Sequence, residues 1–132
     1  MAKKYDTIYQ FKIILESIQP TIWRRIQVPE HYSFWDLHVA IQDAMGWFDC
    51  HLHEFSLANP HTEERELFGI PMEEDLAENY PLQASWQGNI KDYFTEENCH
   101  ATYRYDFGDG WQHTITFEKC LVRESGTRYP RC

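Results

Sequence analysis

Hydrophobic and polar positions alternate along residues Thr7 to Leu15. Tyr9, Phe11, Ile13 and Leu15 share one face, with Gln10 and Lys12 opposite, the pattern of a half-buried strand. Ser17 to Pro20 reads as a turn. Ile22 to Val28 is a second strand, with Ile22, Arg24, Ile26 and Val28 on one side and Trp23 and Arg25 on the other. Pro29 stops it, and the two strands are expected to pair as an antiparallel hairpin. The pattern then changes period. Phe34, Leu37, Ile41, Ala44 and Met45 recur at helical spacing. Ser33 is the expected N-cap, Asp36 completes a capping box, and Tyr32 and Leu37 are placed to form a hydrophobic staple. Gly46 supplies a left-handed stop, over which Trp47 folds back.

His51 to Leu57 predicts a third strand, broken by Asn59-Pro60. From Thr62 to Tyr80 the chain carries seven acids against one arginine, which reads as a solvated loop rather than a second domain. A short helix is expected at Asn89 to Phe94, with Asn89 as cap. His100 to Phe107 and Trp111 to Val122 form a terminal hairpin across Gly108-Asp109-Gly110, and the polar tail from Arg123 is expected to be loose. A three-residue turn pairs Phe107 with Trp111, Tyr105 with His113 and Tyr103 with Ile115, which keeps one face apolar throughout. Asp106 and His113 then point to opposite faces. These elements predict an α+β fold in a single domain over residues 1–132. About five mostly antiparallel strands curl around one main helix.

Composition narrows the classes. The 42% hydrophobic and 16% aromatic content is enough for a real core. Twelve Lys plus Arg against 21 Asp plus Glu give a net charge of -9, which disfavours a phosphate-backbone partner. No apolar run resembles a signal peptide or a membrane span, so a cytoplasmic protein is expected. Cys50, Cys99, Cys120 and Cys132 lack C-x-x-C spacing, which argues against a zinc ribbon or redox motif.

Two clusters carry candidate chemistry. His51 and His53, two apart on a strand, share a face and can grip one metal if Asp106, Asp109, Cys50 or His38 supplies further ligands. The plainer reading puts both histidines at the rim of a core beside Phe55 and Leu57. His38 lies on the buried stripe of the helix, where a packed, hydrogen-bonded histidine is the commoner case. Trp23, Arg24 and Arg25 are residue types enriched in interfaces, and Arg24, on the apolar side, needs a carboxylate if buried. The tryptophans Trp23, Trp35, Trp47, Trp86 and Trp111 either line a groove or, for most of them, fill the core. No nucleophile elbow, P-loop, zincin or dinucleotide motif occurs.

Taken in order, several motifs resemble the plasmid pRiA4b Orf-three-like domain family. They are Ile22-Trp23-Arg24-Arg25, Asp36-Leu37-His38, Met45-Gly46-Trp47 with His51-Leu52-His53-x-Phe55, Tyr105-Asp106-Phe107-Gly108-Asp109-Gly110-Trp111-x-His113, and Tyr129-Pro130-Arg131-Cys132. The resemblance implies a small α+β domain found on plasmids and transposable elements, and no established activity. Members of that family run on past the Pro-Arg-Cys into a glycine-rich segment with further cysteines. The expected function is a non-enzymatic interaction module for plasmid or transposon proteins, with a protein partner, no cofactor and a candidate interface at Trp23, Arg24 and Arg25. The alternative is a metal-dependent hydrolase or nuclease using His51, His53, Asp106 and Asp109 with a divalent metal.

Overall fold

The computed structural model describes residues 7–47, 52–72, 81–105 and 111–132. Their strands are β1 (Thr7–Leu15), β2 (Ile22–Pro29), β3 (His53–Ala58), β4 (Arg65–Gly69), β5 (Leu82–Ala84), β6 (His100–Tyr105) and β7 (Trp111–Val122), with one α-helix, α1 (Phe34–Met45). The strands form a single seven-stranded sheet in the order β2-β1-β7-β6-β3-β4-β5. All described pairs are antiparallel except β4 with β5, which is parallel. This corrects the expected architecture. The fold is mostly sheet, one mixed layer of seven strands, and not five strands curled around a helix.

The helix forms where its caps require. Ser33 Oγ accepts from the Asp36 amide at 3.1 Å, and Asp36 Oδ2 accepts from the Ser33 amide at 3.1 Å. Gly46 adopts the left-handed conformation at φ 75°, and Trp47 N–H reaches back to Gln42 O at 2.9 Å. Arg24 finds a partner other than the expected carboxylate. Its Nε donates to Ala44 O at 3.2 Å, so a cation sits where the helix leaves its last carbonyls and the macrodipole is negative.

The acidic stretch from Thr62 to Tyr80 hides one strand, β4, and a second, β5, follows just after it. Arg65–Gly69 pairs with β3, Phe55 opposite Phe68, and Leu82–Ala84 pairs with β4. The Glu and Arg of β4 are exposed or half-buried while Phe68 is buried, so a strand with one buried anchor reads as loop by composition. The helix expected at Asn89 to Phe94 is a short 3-10 turn, Ile90–Asp92, whose Asn89 side chain makes no capping bond.

The terminal hairpin keeps the expected face but not the expected partners. Tyr105 pairs with Trp111, Tyr103 with His113 and Ala101 with Ile115. The offset from the three-residue turn is two positions. Because side chains alternate with period two, an even shift preserves which face each residue takes. Residues 106–110, including Asp106 and the turn itself, lie outside the described residues. The tail is tied down rather than loose: Gln27 and Arg131 exchange backbone hydrogen bonds of 2.8 and 3.0 Å.

Register lays apolar rows across the helix side of the sheet. One row runs Leu15–His113–Tyr103–Phe55–Phe68. Phe34 packs onto its far end, stacked on Phe68 with ring centroids 4.3 Å apart. The opposite face carries the row Trp23–Ile14–Thr114–Thr102–Ser56–Leu67. Such a one-sided antiparallel sheet can present a polar face to water.

Candidate functional site

The helix side holds a buried polar layer in an otherwise apolar core. His38, Gln42, His53, Ser85 and His113 are all buried there around Tyr103. His38 and Gln42 lie four apart on α1, so both reach the same spot. Gln42 Nε2 donates to the Tyr103 hydroxyl at 2.8 Å, and that hydroxyl also bonds His38 Nδ1 at 2.7 Å. The His38 ring stacks on His53, with centroids 3.8 Å apart and planes 14° apart. Trp35 leans over this pair, 5.1 Å from His38 and 5.9 Å from His53. Trp47 covers His113 edge-on at 5.3 Å.

Two imidazole nitrogens in this layer are orphans. His53 Nε2 bonds Ser85 Oγ at 2.8 Å, but its buried Nδ1 has no partner among the described residues. His113 Nδ1 faces the Tyr103 carbonyl at 3.2 Å. A carbonyl only accepts, so that nitrogen carries the proton and Nε2 presents a bare lone pair. The lone pair is buried and unpartnered among the described residues. Burial, and secondarily the neighbouring His38, pushes the His53 pKa down to about 3. Burial also lowers the His113 pKa, against smaller opposing effects of backbone hydrogen bonds. Both rings are therefore neutral near pH 7, the form that binds a metal.

Of the sequence-derived candidates, His53 and His38 meet in this layer. His51, Asp106 and Asp109 lie outside the described residues, as does Cys50. Among the described residues no group of three metal-ligating side chains converges. Cys99, Cys120 and Cys132 are free thiols. Tyr103, Gln42 and Ser85 were not foreseen as partners. Gln42 was legible as the i+4 neighbour of His38, whereas Ser85 reaches His53 only through the missed β4–β5 pairing.

The Trp23 surface lies on the other side. Trp23 is 43% exposed on the open face. Lys12 Nζ lies 4.9 Å and Arg25 Cζ 5.2 Å from its ring centroid. Arg25 grips Glu118 with two bonds, 2.7 and 3.1 Å, which holds the Glu118 pKa below the usual carboxylate range. Farther along this face, Glu54, Ser56, Thr102, Arg104 and Gln112 line a shallow groove, in which Arg104 pairs with Glu54 at 2.8 Å. None of the tryptophans belongs to the buried core, contrary to the expectation for most of them.

Residues 7–132 match the family described as plasmid pRiA4b ORF-3-like protein. The chain belongs to this family. Members resemble it over most of its length. The protein y4hQ of Sinorhizobium fredii, described as uncharacterized, is 32% identical over 119 residues, covering 86% of this chain and 54% of its own. The chain thus spans about half the length of that curated relative. The crystal structure of MM3350 from Methanosarcina mazei Go1, a protein of unknown function, superposes with a TM-score of 0.88 at 45% identity. That match covers 96% of this chain and 67% of the other. This ORF-3-like domain has a shared fold, and the names of both relatives leave its activity open. Among the described residues, no helix is long and apolar enough to cross a membrane.

Proposed function

We propose that this ORF-3-like domain is a non-enzymatic interaction module, serving plasmid or transposon proteins, whose contact surface is the open sheet face around Trp23. One observation carries the reading. An exposed tryptophan stands beside two cations, Lys12 and Arg25, on a strand face that no described helix covers. A large aromatic side chain costs energy to leave in water and is pre-ordered here by its neighbours, the properties of an interface anchor. The net charge of -9 disfavours a polyphosphate partner, and the basic residues beside Trp23 suit a local acidic patch on a protein.

The test is capture from the native host on immobilised protein. Trp23→Ala is expected to weaken retention of a specific partner about 30-fold, the scale of a hot-spot side chain. Trp86→Ala removes a still more exposed tryptophan elsewhere (55% exposed) and should change nothing. If Trp23→Ala retains every partner that the unaltered protein retains, the reading is wrong.

A second reading has one observation in its favour. The bare, buried Nε2 of His113, with Nδ1 turned to a backbone carbonyl, is the posture of a metal-binding histidine. His53 Nδ1 is a second nitrogen in the same layer with no partner among the described residues. Under this reading the domain is a metal-dependent hydrolase or nuclease. Elemental analysis of untagged protein separates the two: stoichiometric metal favours the enzyme, and its absence favours the module.

A further inference from the structure

We infer that the pocket walled by Asn59, Gln83, Asp92 and Tyr93, toward the β5 end of the sheet, binds a guanidinium group. It lies far from the Trp23 surface on β2, and the two readings stand or fall separately. The pocket, about 300 Å³, opens between the turn after β3, strand β5 and the 3-10 turn Ile90–Asp92. Its organising group is a carboxylate. Glu66 stands on the helix side of β4, opposite Leu57 and two residues before Phe68. Its Oε1 accepts from Tyr93 Oη at 2.6 Å and Gln83 Nε2 at 2.8 Å, and its Oε2 from Asn59 Nδ2 at 2.6 Å. The bonds from Tyr93 and Gln83 hold the Glu66 pKa below the usual carboxylate range, against the opposing effect of burial. Burial, and then Glu66, pushes the Tyr93 phenol up, so Tyr93 keeps its proton and acts as the donor.

These bonds fix which atoms are left for a ligand. A carboxylate only accepts, so Gln83 turns its nitrogen to Glu66 and keeps Oε1 for another donor. Tyr93 has used its only hydroxyl proton and retains a lone pair. Asn59 Oδ1 already accepts from the amides of His61 and Thr62 at 2.8 and 3.3 Å, so Asn59 is frame rather than ligand contact. Asp92, exposed at the rim, adds a second carboxylate. Phe68 and Tyr93 meet edge to face with ring centroids 5.2 Å apart and supply an aromatic wall. Among the described residues, no lysine or arginine lines the pocket. Acceptors, two carboxylates and an aromatic wall suit a flat cation with several N–H groups. A guanidinium has five donors in a planar fork, is weakly hydrated and stacks on rings. An anion would be repelled by both carboxylates. A metal ion fits poorly, since among the described residues no three ligating side chains converge.

The probe is blocked arginine, N-acetyl-arginine amide, titrated at constant salt into isotope-labelled full chain and followed by amide NMR. Saturable shifts are expected at the side-chain amides of Gln83 and Gln87 and the backbone amides of Asp92 and Tyr93. Blocked citrulline, the uncharged isostere, and blocked lysine should each bind about tenfold more weakly, the scale of a lost charged hydrogen bond. Asp92→Asn, an exposed change that spares the Glu66 bonds, should weaken blocked arginine about fivefold. A Gly-Arg-Gly peptide and methylguanidinium in the same titration identify the source. Tighter peptide binding indicates an arginine of a partner protein, tighter methylguanidinium a free small cation, and either supports the site. No saturable shift up to tens of millimolar, or equal binding of citrulline, overturns the proposal. Equal binding of lysine overturns the guanidinium as the group recognised. Undiminished binding to Asp92→Asn overturns the assignment to this pocket. The module reading fails separately, by the Trp23→Ala capture experiment.

Discussion

His53 holds an uncharged imidazole in the core, and that makes the domain sensitive to acid. Its pKa lies near 3 in the folded chain and at the ordinary 6.5 when exposed. Between these values the unfolded chain binds a proton that the folded chain refuses. Stability is therefore fully present above pH 6.5 and falls as the pH drops toward 3, with a slope of up to about 1.4 kcal/mol per pH unit. The lowered pKa of His113 acts in the same direction. Urea midpoints measured from pH 7 to pH 4.5 should decline, and His53→Phe, which cannot titrate, should flatten the decline. Identical pH profiles for the two proteins would show that His53 is not the group responsible. That His38 would pack and hydrogen-bond was legible from its place on the apolar stripe. That His53 would stack on it was not, because stacking depends on how a distant strand docks under the helix.

Two glycines separate local from tertiary control at the level of elements. Gly46 ends α1 at φ 75°, and a Cβ there would meet nothing within 4 Å. Gly46→Ala should cost only the left-handed penalty, about 1–2 kcal/mol. At Gly88 a Cβ would lie 2.4 Å from Phe68 Cε1 and 3.0 Å from Phe34 Cδ2. Gly88→Ala must push apart two stacked rings in a close-packed interior, and should cost about 1–3 kcal/mol with a shift in packing. Urea unfolding gives both costs. Near-ultraviolet circular dichroism should change for Gly88→Ala alone, and a change for Gly46→Ala would contradict the open space around it. The role of Gly46 follows from the helix pattern that precedes it. The role of Gly88 follows from the presence of β4, whose Phe68 stands among acids that suggest a loop.

At the scale of the molecule, Phe34 ties the layers together. Its ring lies within 4.3–6.2 Å of Phe68, Tyr93, Phe55 and Phe94, ring centre to ring centre. Its backbone amide also bonds Gly88 O at 3.0 Å, which anchors the helix start to the segment after β5. Phe34→Ala should cost about 3–5 kcal/mol. Calorimetry should show one cooperative transition at lower temperature; two separate transitions would mean that β4 and β5 form a unit independent of Phe34. By itself the sequence determined what depends on neighbours in the chain: the span of β1, the caps of α1, and the division of β6 and β7 into an apolar and a polar face. Period-two and period-3.6 patterning are local, and they survive an even shift in register. Tertiary structure alone decided the strand count, the insertion of β7 between β1 and β6, the helix-end carbonyl as the partner of Arg24, and the ring stack of His38 on His53. Each is a contact between segments far apart in the chain, whose strength comes from mutual burial, and burial is a property of the assembled core rather than of any stretch within it.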